Sequence, residues 1–234
     1  MSKLDSNNIP SHIAIIMDGN RRWARVRHLP DLKGHEEGHE ALERTVRTAR
    51  DFGVQIVTVY ALSTENVKER SKSEIAGLFN LLKKTYLNKL KVWMKEGVEI
   101  DMLGEMAGLP VFVKKIIADI QKKHTQNATF KLNIAFNYGG KREILQAIEK
   151  ILKSKVTPKK VSEETLRENL YTNGQPDPEL VIRTGGRSRL SNFLLWQTAY
   201  SEFYFTKTLW PDFNKKEFKK ALDWYKNQKR NFGK

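Results

Sequence analysis

Residues 12–22 read HIAIIMDGNRR, a short apolar run that stops abruptly at Asp-Gly-Asn. An apolar run of this length, bounded by a turn signal, is typical of a buried β-strand. The polar residues after it predict a turn into a helix, where Gly19 would let backbone N–H groups approach a phosphate and Asp18 would offer a carboxylate to a metal ion. Taken alone, Asp-Gly-Asn favours an ordinary turn, and only the segments elsewhere in the chain can decide between the two.

The rest of the chain alternates predicted strands with predicted helices. Apolar, β-branched runs predict five further strands, at residues 55–62, 98–103, 130–136, 179–183 and 203–205. Apolar residues at three- and four-residue spacing predict helices at residues 37–52, 73–95, 110–123, 142–152, 162–170, 190–200 and 215–229. The helix at 142–152 has one apolar face, formed by Ile144, Leu145, Ile148 and Leu152. Alternation of this kind predicts an α/β fold with a mainly parallel sheet covered by helices.

Polar or glycine-containing segments follow four of these strands. They are DGNRR after the first strand, STEN after the second, NYGG after the fourth and RTGGRSR after the fifth. Because ligands of open parallel sheets bind at the carboxyl ends of the strands, we expect the four segments to meet in one site. A carboxylate, amide side chains, glycine-rich backbone and several arginines suit a diphosphate with a divalent metal ion.

The composition narrows the class of protein. The chain has 234 residues, 42 lysines and arginines against 27 aspartates and glutamates, a net charge of +15 and no cysteine. A positive excess attracts nucleic acid, anionic lipid or phosphorylated small molecules, although a solvated basic surface is its default meaning. The absence of cysteine excludes a disulfide scaffold, a thiol nucleophile and a cysteine-ligated metal. With no apolar run long enough to cross a bilayer and a polar start, MSKLDSNNIP, we expect a soluble or peripheral protein.

One short motif suggests a different chemistry. Residues 35–39 read HEEGH, which matches the H-E-x-x-H pattern of zinc proteases. Gly34 precedes the motif and Gly38 interrupts it, and neither is typical of a zinc-binding helix. We therefore expect no zinc there, with His35 near the phosphate pocket and His39 on a helix surface. The Walker A and dinucleotide-binding glycine patterns are absent from the sequence.

Five blocks of sequence, taken together, resemble the cis-prenyltransferases, the undecaprenyl diphosphate synthase-like isoprenyl transferases. The blocks are HIAIIMDGNRRWA (12–24), YALSTEN (60–66), NIAFNYGGKREI (133–144), RTGGRSRLSNFLLWQ (183–197) and YSEFYFTKTLWPDF (200–213). They stand in the family's order and extend over nearly the whole chain. Any one block could occur by chance, whereas five in order are highly specific.

The resemblance implies a fold and a reaction. It implies a single α/β domain over residues 1–234, with a central, mainly parallel six-stranded sheet and a hydrophobic product tunnel. The implied reaction is a magnesium-dependent condensation of an allylic diphosphate, such as farnesyl diphosphate, with successive isopentenyl diphosphates. It forms cis double bonds, releases diphosphate and gives a polyprenyl diphosphate. We further expect a cytoplasmic homodimer, peripheral at the membrane and without a nucleic-acid partner.

The resemblance also assigns residues, one position at a time. Asp18 and Asn66 are expected in catalysis, and Asp18 and Glu202 at the magnesium ion. The allylic diphosphate is expected at Gly19, Asn20, Arg21, Arg22, Trp23, His35 and Ser63. The isopentenyl diphosphate is expected at Arg70, Arg183, Arg189 and Ser191. Asn66, His35 and a diphosphate oxygen remain alternatives for the proton acceptor.

The tunnel walls are expected at Ala61, Ile75, Phe79, Leu82 and Leu132. Each of these residues is equally typical of an ordinary hydrophobic core. Ala61 is small, which favours a medium or long product over a short one.

Four positions depart from the family's usual pattern. Asp31 stands where an arginine is usual, so one phosphate ligand is either missing or supplied by Arg25 or Arg27. The segment after STEN is one residue longer, which makes Arg70 the expected equivalent of a family arginine. Arg187 replaces a frequent glutamate, and Asn231 begins an altered C-terminal element. These changes leave open a second hypothesis, a catalytically weakened partner subunit or a basic polyanion- or membrane-binding protein on the same fold.

Overall fold

In a computed structural model, residues 9–123, 125, 127–154 and 161–228 of the chain are described. Within them, six parallel strands form one sheet in the order β3-β4-β2-β1-β5-β6. The strands are β1 (His12–Ile16), β2 (Ile56–Ser63), β3 (Val98–Leu103), β4 (Phe130–Tyr138), β5 (Leu180–Arg183) and β6 (Glu202–Phe205). The predicted α/β fold with six strands is confirmed.

Helices connect the strands and cover both faces of the sheet. They are α1 (Asn20–Arg25), α2 (Asp31–Asp51), α3 (Thr64–Glu69), α4 (Lys72–Thr85), α5 (Lys91–Lys95), α6 (Val111–Gln121), α7 (Gly140–Lys153), α8 (Glu163–Asn169) and α9 (Lys215–Lys226). Between α4 and α5, Tyr86–Leu90 form a π-helical turn, so the long helix predicted at 73–95 is interrupted by one wide turn. The altered element at Asn231 lies outside the described residues.

The strand order explains why one edge of the sheet carries the polar segments. β1 lies between β2 and β5, with Ile16 paired to Tyr60 on one side and to Arg183 on the other. The chain that follows each of these three strands therefore emerges at the same edge. The chain runs from β1 outward through β2 and later returns to the other side of β1, which makes this edge a topological switch point, where α/β proteins bind ligands.

Two glycines of α2 hold the helix against α1. A Cβ at Gly34 would lie 2.0 Å from the carbonyl oxygen of Asn20, and one at Gly38 would lie 2.6 Å from Asn20 Oδ1. The backbone contact excludes a side chain at Gly34, and a side chain at Gly38 would displace the Asn20 amide, so α2 packs closely on the first turn of α1. The packing places His35, between the two glycines, beside Asn20 at the edge of the sheet.

Residues 190–200 do not form the predicted helix. Ser191, Asn192 and Leu194 have φ values of 52°, 65° and 44°, which are left-handed and incompatible with an α-helix. Gly140 N–H donates to the carbonyl oxygen of Asn192 at 2.7 Å, and Lys141 N–H donates to its Oδ1 at 2.9 Å. These bonds hold the segment as a series of turns on the start of α7, so tertiary contacts override its apolar periodicity.

The apolar face of α7 is largely exposed to solvent in the single chain. Leu145, Ile148 and Leu152 are 54%, 42% and 79% exposed, whereas Ala147 and Ile151 of the opposite stripe are buried. Leu145, Ile148 and Leu152 lie at helical spacing and form one continuous stripe. The sequence pattern identified the helix correctly, but part of its apolar surface does not pack on the sheet.

A buried polar network crosses the middle of the sheet. His12 Nδ1 lies 2.6 Å from the carbonyl oxygen of Pro176, and its Nε2 lies 2.7 Å from Thr58 Oγ1. Asn133 Nδ2 donates to the same Thr58 oxygen at 2.9 Å and to Gln175 Oε1 at 2.8 Å. Burial lowers the pKa of His12 to about 4, so the network contains a neutral imidazole at neutral pH.

Candidate active site

A cleft of about 750 Å³ opens at the carboxyl ends of β1, β2 and β5. Its lining includes six arginines (Arg21, Arg22, Arg25, Arg70, Arg183 and Arg189) and two carboxylates (Asp18 and Glu65). Of the four predicted segments, those after β1, β2 and β5 line the cleft. NYGG instead lies behind the 190–200 turns, where Gly139 and Gly140 leave room for Asn192 and Leu195. The cleft is thus strongly positive, which suits an anionic ligand.

Asp18 lies at the centre of the cleft between two arginines. Its Oδ1 accepts a hydrogen bond from Arg22 Nη2 at 3.0 Å, and its Oδ2 accepts one from Arg183 Nη2 at 3.0 Å. Arg22 also donates to the carbonyl oxygen of Gly185 at 2.6 Å. Gly185 has φ 82° and leaves no space for a Cβ beside Arg22, which explains the Gly-Gly pair in RTGG. The β1 and β5 segments therefore hold one carboxylate and two guanidinium groups together.

Arg183 also organises the loop that carries Arg189 and Ser191. It is 4% exposed, donates from Nη1 to Ser191 Oγ at 2.8 Å and bonds the carbonyl oxygen of Arg189. Its Nε has no partner within the described residues. The Ser191 hydroxyl accepts the hydrogen bond from Arg183 inside the cleft. Arg183, Arg189 and Ser191 are brought together as expected.

Asn20 and His35 form a second polar pair in the cleft. Asn20 Nδ2 lies 3.4 Å from His35 Nδ1. Within the described part of the chain, the buried Asn20 Oδ1 and His35 Nε2 have no hydrogen-bond partner. Burial, together with the charges of Arg70 and Arg21, lowers the pKa of His35 to about 4. His35 is therefore neutral at neutral pH, and it lines both the cleft and the neighbouring apolar space.

Asp31, which stands where the family usually has an arginine, is bonded to two arginines of α1. Asp31 accepts hydrogen bonds from Arg21 at 2.7 Å and from Arg25 at 2.9 and 3.0 Å, and these bonds lower its pKa to about 2. Arg25 lines the cleft. Arg27 instead stacks on Trp23, with its guanidinium carbon 4.2 Å from the ring centroid, and pairs with Asp212. Of the two, Arg25 therefore lines the cleft and Arg27 does not.

Trp23 does not take the position expected for it. Its indole Nε1 donates to Asp212 Oδ1 at 2.7 Å, and its ring is covered by Arg27. These contacts hold Trp23 on the outer side of α1, away from the residues that line the cleft. The expectation that Trp23 contacts the allylic diphosphate is not supported by this placement.

The segment after β2 supplies polar groups from the opposite wall. Ser63 caps α3 by accepting from Asn66 N–H at 3.0 Å, and both residues line the cleft. Arg70 lines it too and pairs with Glu74 at 2.9 Å. The sequence reasoning missed Glu65 and Asn192, which are joined by a 2.8 Å hydrogen bond across the cleft. Glu65 lies in STEN, the segment after β2, and Asn192 lies three residues after RTGGRSR, the segment after β5. These positions were the available signal.

Glu202 is far from Asp18 in the single chain. It is the first residue of β6 and pairs with Leu180, whereas the carboxyl end of β6 at Phe205 pairs with Arg183. Three residues of extended strand, about 10 Å, separate Glu202 from the edge that carries the cleft. The expected pairing of Asp18 and Glu202 at one magnesium ion is therefore not found within one chain.

An apolar cavity of about 70 Å³ adjoins the cleft. Met17, Asn20, His35, Ala61 and Leu62 line both, so the two spaces share a wall formed by β2, α1, α2 and the residue after β1. Of the tunnel candidates, Ala61 and Leu82 line the cavity, whereas Ile75, Phe79 and Leu132 lie in the surrounding core. The cavity lining that the sequence did not indicate comprises Met17, Gly38, His39, Leu42, Leu62, Leu78, Thr85, Leu90, Ile134, Phe136 and Trp210.

His39 lies against α4 and not on the helix surface predicted for it. It lies 3.2 Å from Thr85 Oγ1, and burial lowers its pKa to about 4. Among the described residues, no group of three or more His, Cys, Asp or Glu side chains could hold a metal ion. The H-E-x-x-H match in α2 is therefore not accompanied by the further ligand of a zinc site.

Comparison with known proteins identifies the family. Residues 16–233 match the prenyltransferase model of the undecaprenyl diphosphate synthase family. The chain belongs to this family. It is 47% identical over 227 residues to an isoprenyl transferase of Thermotoga maritima, covering 96% of this chain and 97% of that protein. It is 40% identical over 240 residues to the tritrans,polycis-undecaprenyl-diphosphate synthase (geranylgeranyl-diphosphate specific) of Picrophilus torridus, covering 100% of this chain and 93% of that protein.

A solved structure shares the fold of this prenyltransferase. The lavandulyl diphosphate synthase from Lavandula x intermedia, in complex with dimethylallyl diphosphate, superposes with a TM-score of 0.91. It is 32% identical and covers 97% of this chain and 99% of that one. The resemblance inferred from the five sequence blocks is confirmed, and the enzyme is a transferase of prenyl groups.

Proposed function

We propose that this prenyltransferase condenses an allylic diphosphate with successive isopentenyl diphosphates and elongates a cis-polyprenyl diphosphate. The observation that carries the proposal is one positive cleft at the carboxyl edge of the sheet, joined to an apolar cavity. The cleft suits two diphosphates, and the cavity suits the hydrocarbon of the growing chain. A weakened partner subunit is not favoured, since Asp18, Arg22, Arg183 and Ser191 form one connected set of contacts.

The two diphosphates are assigned to opposite sides of Asp18. The allylic diphosphate would bind at Gly19, Asn20, Arg21 and Arg22, beside the unpartnered ring nitrogen of His35, with Arg25 as an additional cation. The isopentenyl diphosphate would bind at Arg183, Arg189 and Ser191, with Arg70 on the facing wall, and Ser63 is assigned to the allylic diphosphate. Because Arg183 contacts both Asp18 and Ser191, it lies where the two groups would meet.

Magnesium fits the donor set, although Asp18 is a single carboxylate. Mg²⁺ is usually held by one or two carboxylates with substrate phosphate oxygens and water, and does not require a protein cage. Asp18 is half-buried at the centre of the cleft, so a bound diphosphate would complete such a set. When bound, magnesium would neutralise charge on the departing diphosphate.

The protein groups would act on three events of the reaction. The allylic C–O bond breaks, and its electron pair leaves with the diphosphate, whose growing negative charge Arg22 and the first N–H groups of α1 would stabilise. Arg183, Arg189 and Ser191 would hold the second substrate so that its alkene carbon bonds to the allylic carbon. A proton is then lost from isopentenyl carbon, and the new double bond forms.

The environment of His35 bears on the proton acceptor. With a pKa of about 4 and Arg21 and Arg70 nearby, His35 is a weak base at neutral pH. The amide of Asn66 does not accept protons in this range. Of the three alternatives, a diphosphate oxygen is therefore the best proton acceptor, with His35 and Asn66 as orienting groups.

We also propose that residues 1–234 form one catalytic domain that assembles as a homodimer. In the described structure the strands share one sheet, which supports a single domain. The exposed Leu145, Ile148 and Leu152 stripe of α7 and the 89% exposed Tyr200 support an interface between two copies. Sedimentation of the wild type would show a dimer, and Ile148→Glu, which places a charge in the middle of the stripe, would shift it toward monomer.

A partly apolar, partly basic surface around the junction of α1 and α2 supports peripheral association with a membrane. Val26, Leu29 and Leu32 are exposed between α1 and α2, beside the basic Arg25 and Arg27. Apolar side chains flanked by cations suit the surface of an anionic bilayer, which would receive the long product. In the part of the chain that the structure describes, no helix is long and apolar enough to cross a membrane. Peripheral binding and a cytoplasmic location are our proposals, and flotation with anionic against neutral vesicles tests the binding.

The release of diphosphate tests the proposed reaction directly. With magnesium, farnesyl diphosphate and isopentenyl diphosphate together should release diphosphate continuously, whereas either substrate alone should not. Geranylgeranyl and dimethylallyl diphosphates, offered in turn, would identify the preferred primer. No release with any allylic primer would contradict the proposal.

A further inference from the structure

Two cavities meet at one pair of side chains between α2 and α4. The inner one is the apolar cavity of about 70 Å³, and the outer one is a surface groove of about 250 Å³. His39 of α2 and Thr85, the last residue of α4, line both spaces. Thr85 Oγ1 lies 3.2 Å from His39 Nδ1, so a hydrogen bond joins the two helices across the wall.

The two sides of this wall differ in chemistry. Inside, Leu42, Leu78 and Leu82 offer apolar surface to a hydrocarbon chain. Outside, the groove is lined mainly by charged and polar residues: Glu36, Glu37, Glu40, Lys84, Asn88 and Lys89. Burial of a prenyl chain in the inner cavity would be favourable, because its apolar surface would leave water. Entry into the groove would be unfavourable, because it would displace water from charged groups.

The state of His39 suits a wall of an apolar space. Burial lowers its pKa to about 4, so the ring is uncharged at neutral pH. A hydrogen bond to Thr85 satisfies one of its nitrogens, and separating the pair would break this bond beside the chain. Nearby Lys89 is held on the outer side by Glu40 at 2.7 Å and Glu43 at 2.6 Å.

The π-helical turn begins directly after Thr85. Within it, Leu90 lines the inner cavity, and Asn88 and Lys89 line the outer groove. Wide turns of this kind occur frequently at functional sites in helices. Here the turn connects Thr85, which lines both spaces, to Leu90, which lines the inner cavity.

We propose that the His39–Thr85 pair closes the side of the apolar path between α2 and α4 and thereby limits the length of the polyprenyl product. The inference rests on the chain elongation proposed above. A growing chain that reaches His39 stays inside the cavity, because leaving sideways would require the hydrogen bond to break. The pair is thus a determinant of product specificity that lies outside the diphosphate sites.

Three substitutions test this barrier through the distribution of product lengths. His39→Ala removes the wall and should lengthen the main product by at least one five-carbon unit. His39→Phe fills the cavity and should shorten it. Thr85→Val keeps the shape but removes the hydrogen bond, and should lengthen the product less than His39→Ala does. Asn88→Ala, which alters the outer groove alone, is the matched control and should leave the distribution unchanged.

The outcomes separate this inference from the proposed function. A wild-type enzyme that adds no isopentenyl units contradicts the function. A wild type that elongates, with the same distribution in all three variants, contradicts the barrier alone. An equal shift with Asn88→Ala also contradicts it. Thr85→Val changes little in volume, so it supplies the test even where His39→Ala does not fold.

Discussion

Arg183 Nη2 lies 3.0 Å from Asp18 Oδ2 and joins the ends of two adjacent parallel strands. The same guanidinium reaches Ser191 Oγ at 2.8 Å. One buried cation therefore links the carboxylate after β1 to the loop after β5. Residues of the candidate site that lie far apart in the sequence are brought together because β1 and β5 are neighbours in the sheet.

Replacing Asp18 with asparagine should reduce turnover at least about 100-fold, the scale seen when one electrostatic group is removed from an active site. Asparagine keeps the shape but removes the negative charge needed for magnesium. Steady-state kinetics with both substrates would measure the loss, and the melting temperature would show that the fold survives. Asp212→Asn is the control, because Asp212 pairs with Arg27 and Trp23 outside the cleft. Equal activity of Asp18→Asn and wild type would exclude the assigned role.

Arg183→Lys should raise the KM for isopentenyl diphosphate more than the KM for the allylic substrate. A lysine ammonium cannot contact Asp18 and Ser191 simultaneously in the way that the planar guanidinium does. Separate titrations of the two substrates would show the difference. Arg187→Lys, on an exposed part of the same loop, should change neither KM by more than about twofold, in keeping with the small effect of surface charges. An unchanged isopentenyl diphosphate KM in Arg183→Lys would refute the assignment.

Arg25→Ala should raise the KM for the allylic diphosphate by about tenfold, since a hydrogen bond to a charged group contributes about 1.5 kcal/mol. Arg25 lines the cleft and is paired with Asp31, and we propose that it acts in place of the usual family arginine. Arg27→Ala removes an equal charge on the side of α1 that carries Trp23 and should leave this KM near that of the wild type. If Arg27→Ala gave the larger increase, the placement of Arg25 would be wrong.

The free energy of unfolding should fall as the pH is lowered from about 6.5 to about 4. The folded pKa of His12 is about 4 and its ordinary value is 6.5, so the unfolded chain binds the proton first in this range. At about 1.4 kcal/mol per pKa unit, His12 alone accounts for a loss of roughly 3 kcal/mol. Urea unfolding at several pH values would measure it. A His12→Asn variant that folds should lose less stability over the same interval, and an identical pH profile would contradict the assignment.

The strands were predictable because their signal is local. Apolar runs such as 12–17 and 55–62 identify parallel strands directly, and the polar segments after them identify the edge that binds ligands. The positions of Asp18, Arg22, Arg183 and Ser191 followed from these segments. The close packing of α2 on α1, where Gly34 lies against Asn20, was not predictable in this way, because the glycine was its sole local signal.

The structure differs from the sequence-based expectations where contacts between distant segments decide the conformation. Residues 190–200 have helical periodicity, but bonds to Gly140 and Lys141 hold Asn192 in a left-handed turn. Trp23 lies in a motif of the site, yet its bond to Asp212 turns it outward. Glu202 lies at the opposite end of β6 from Phe205, the partner of Arg183, and so lies away from the edge of the cleft within the single chain.

Product analysis with labelled isopentenyl diphosphate tests the central claim most directly. Incubated with farnesyl diphosphate and magnesium, the wild-type enzyme should give a series of products that grow in five-carbon steps, with new double bonds in the cis configuration. Removal of magnesium by a chelator should abolish the series, and its return should restore it. No labelled product, or a series that persists without a divalent ion, would contradict chain elongation at the Asp18–Arg183 site.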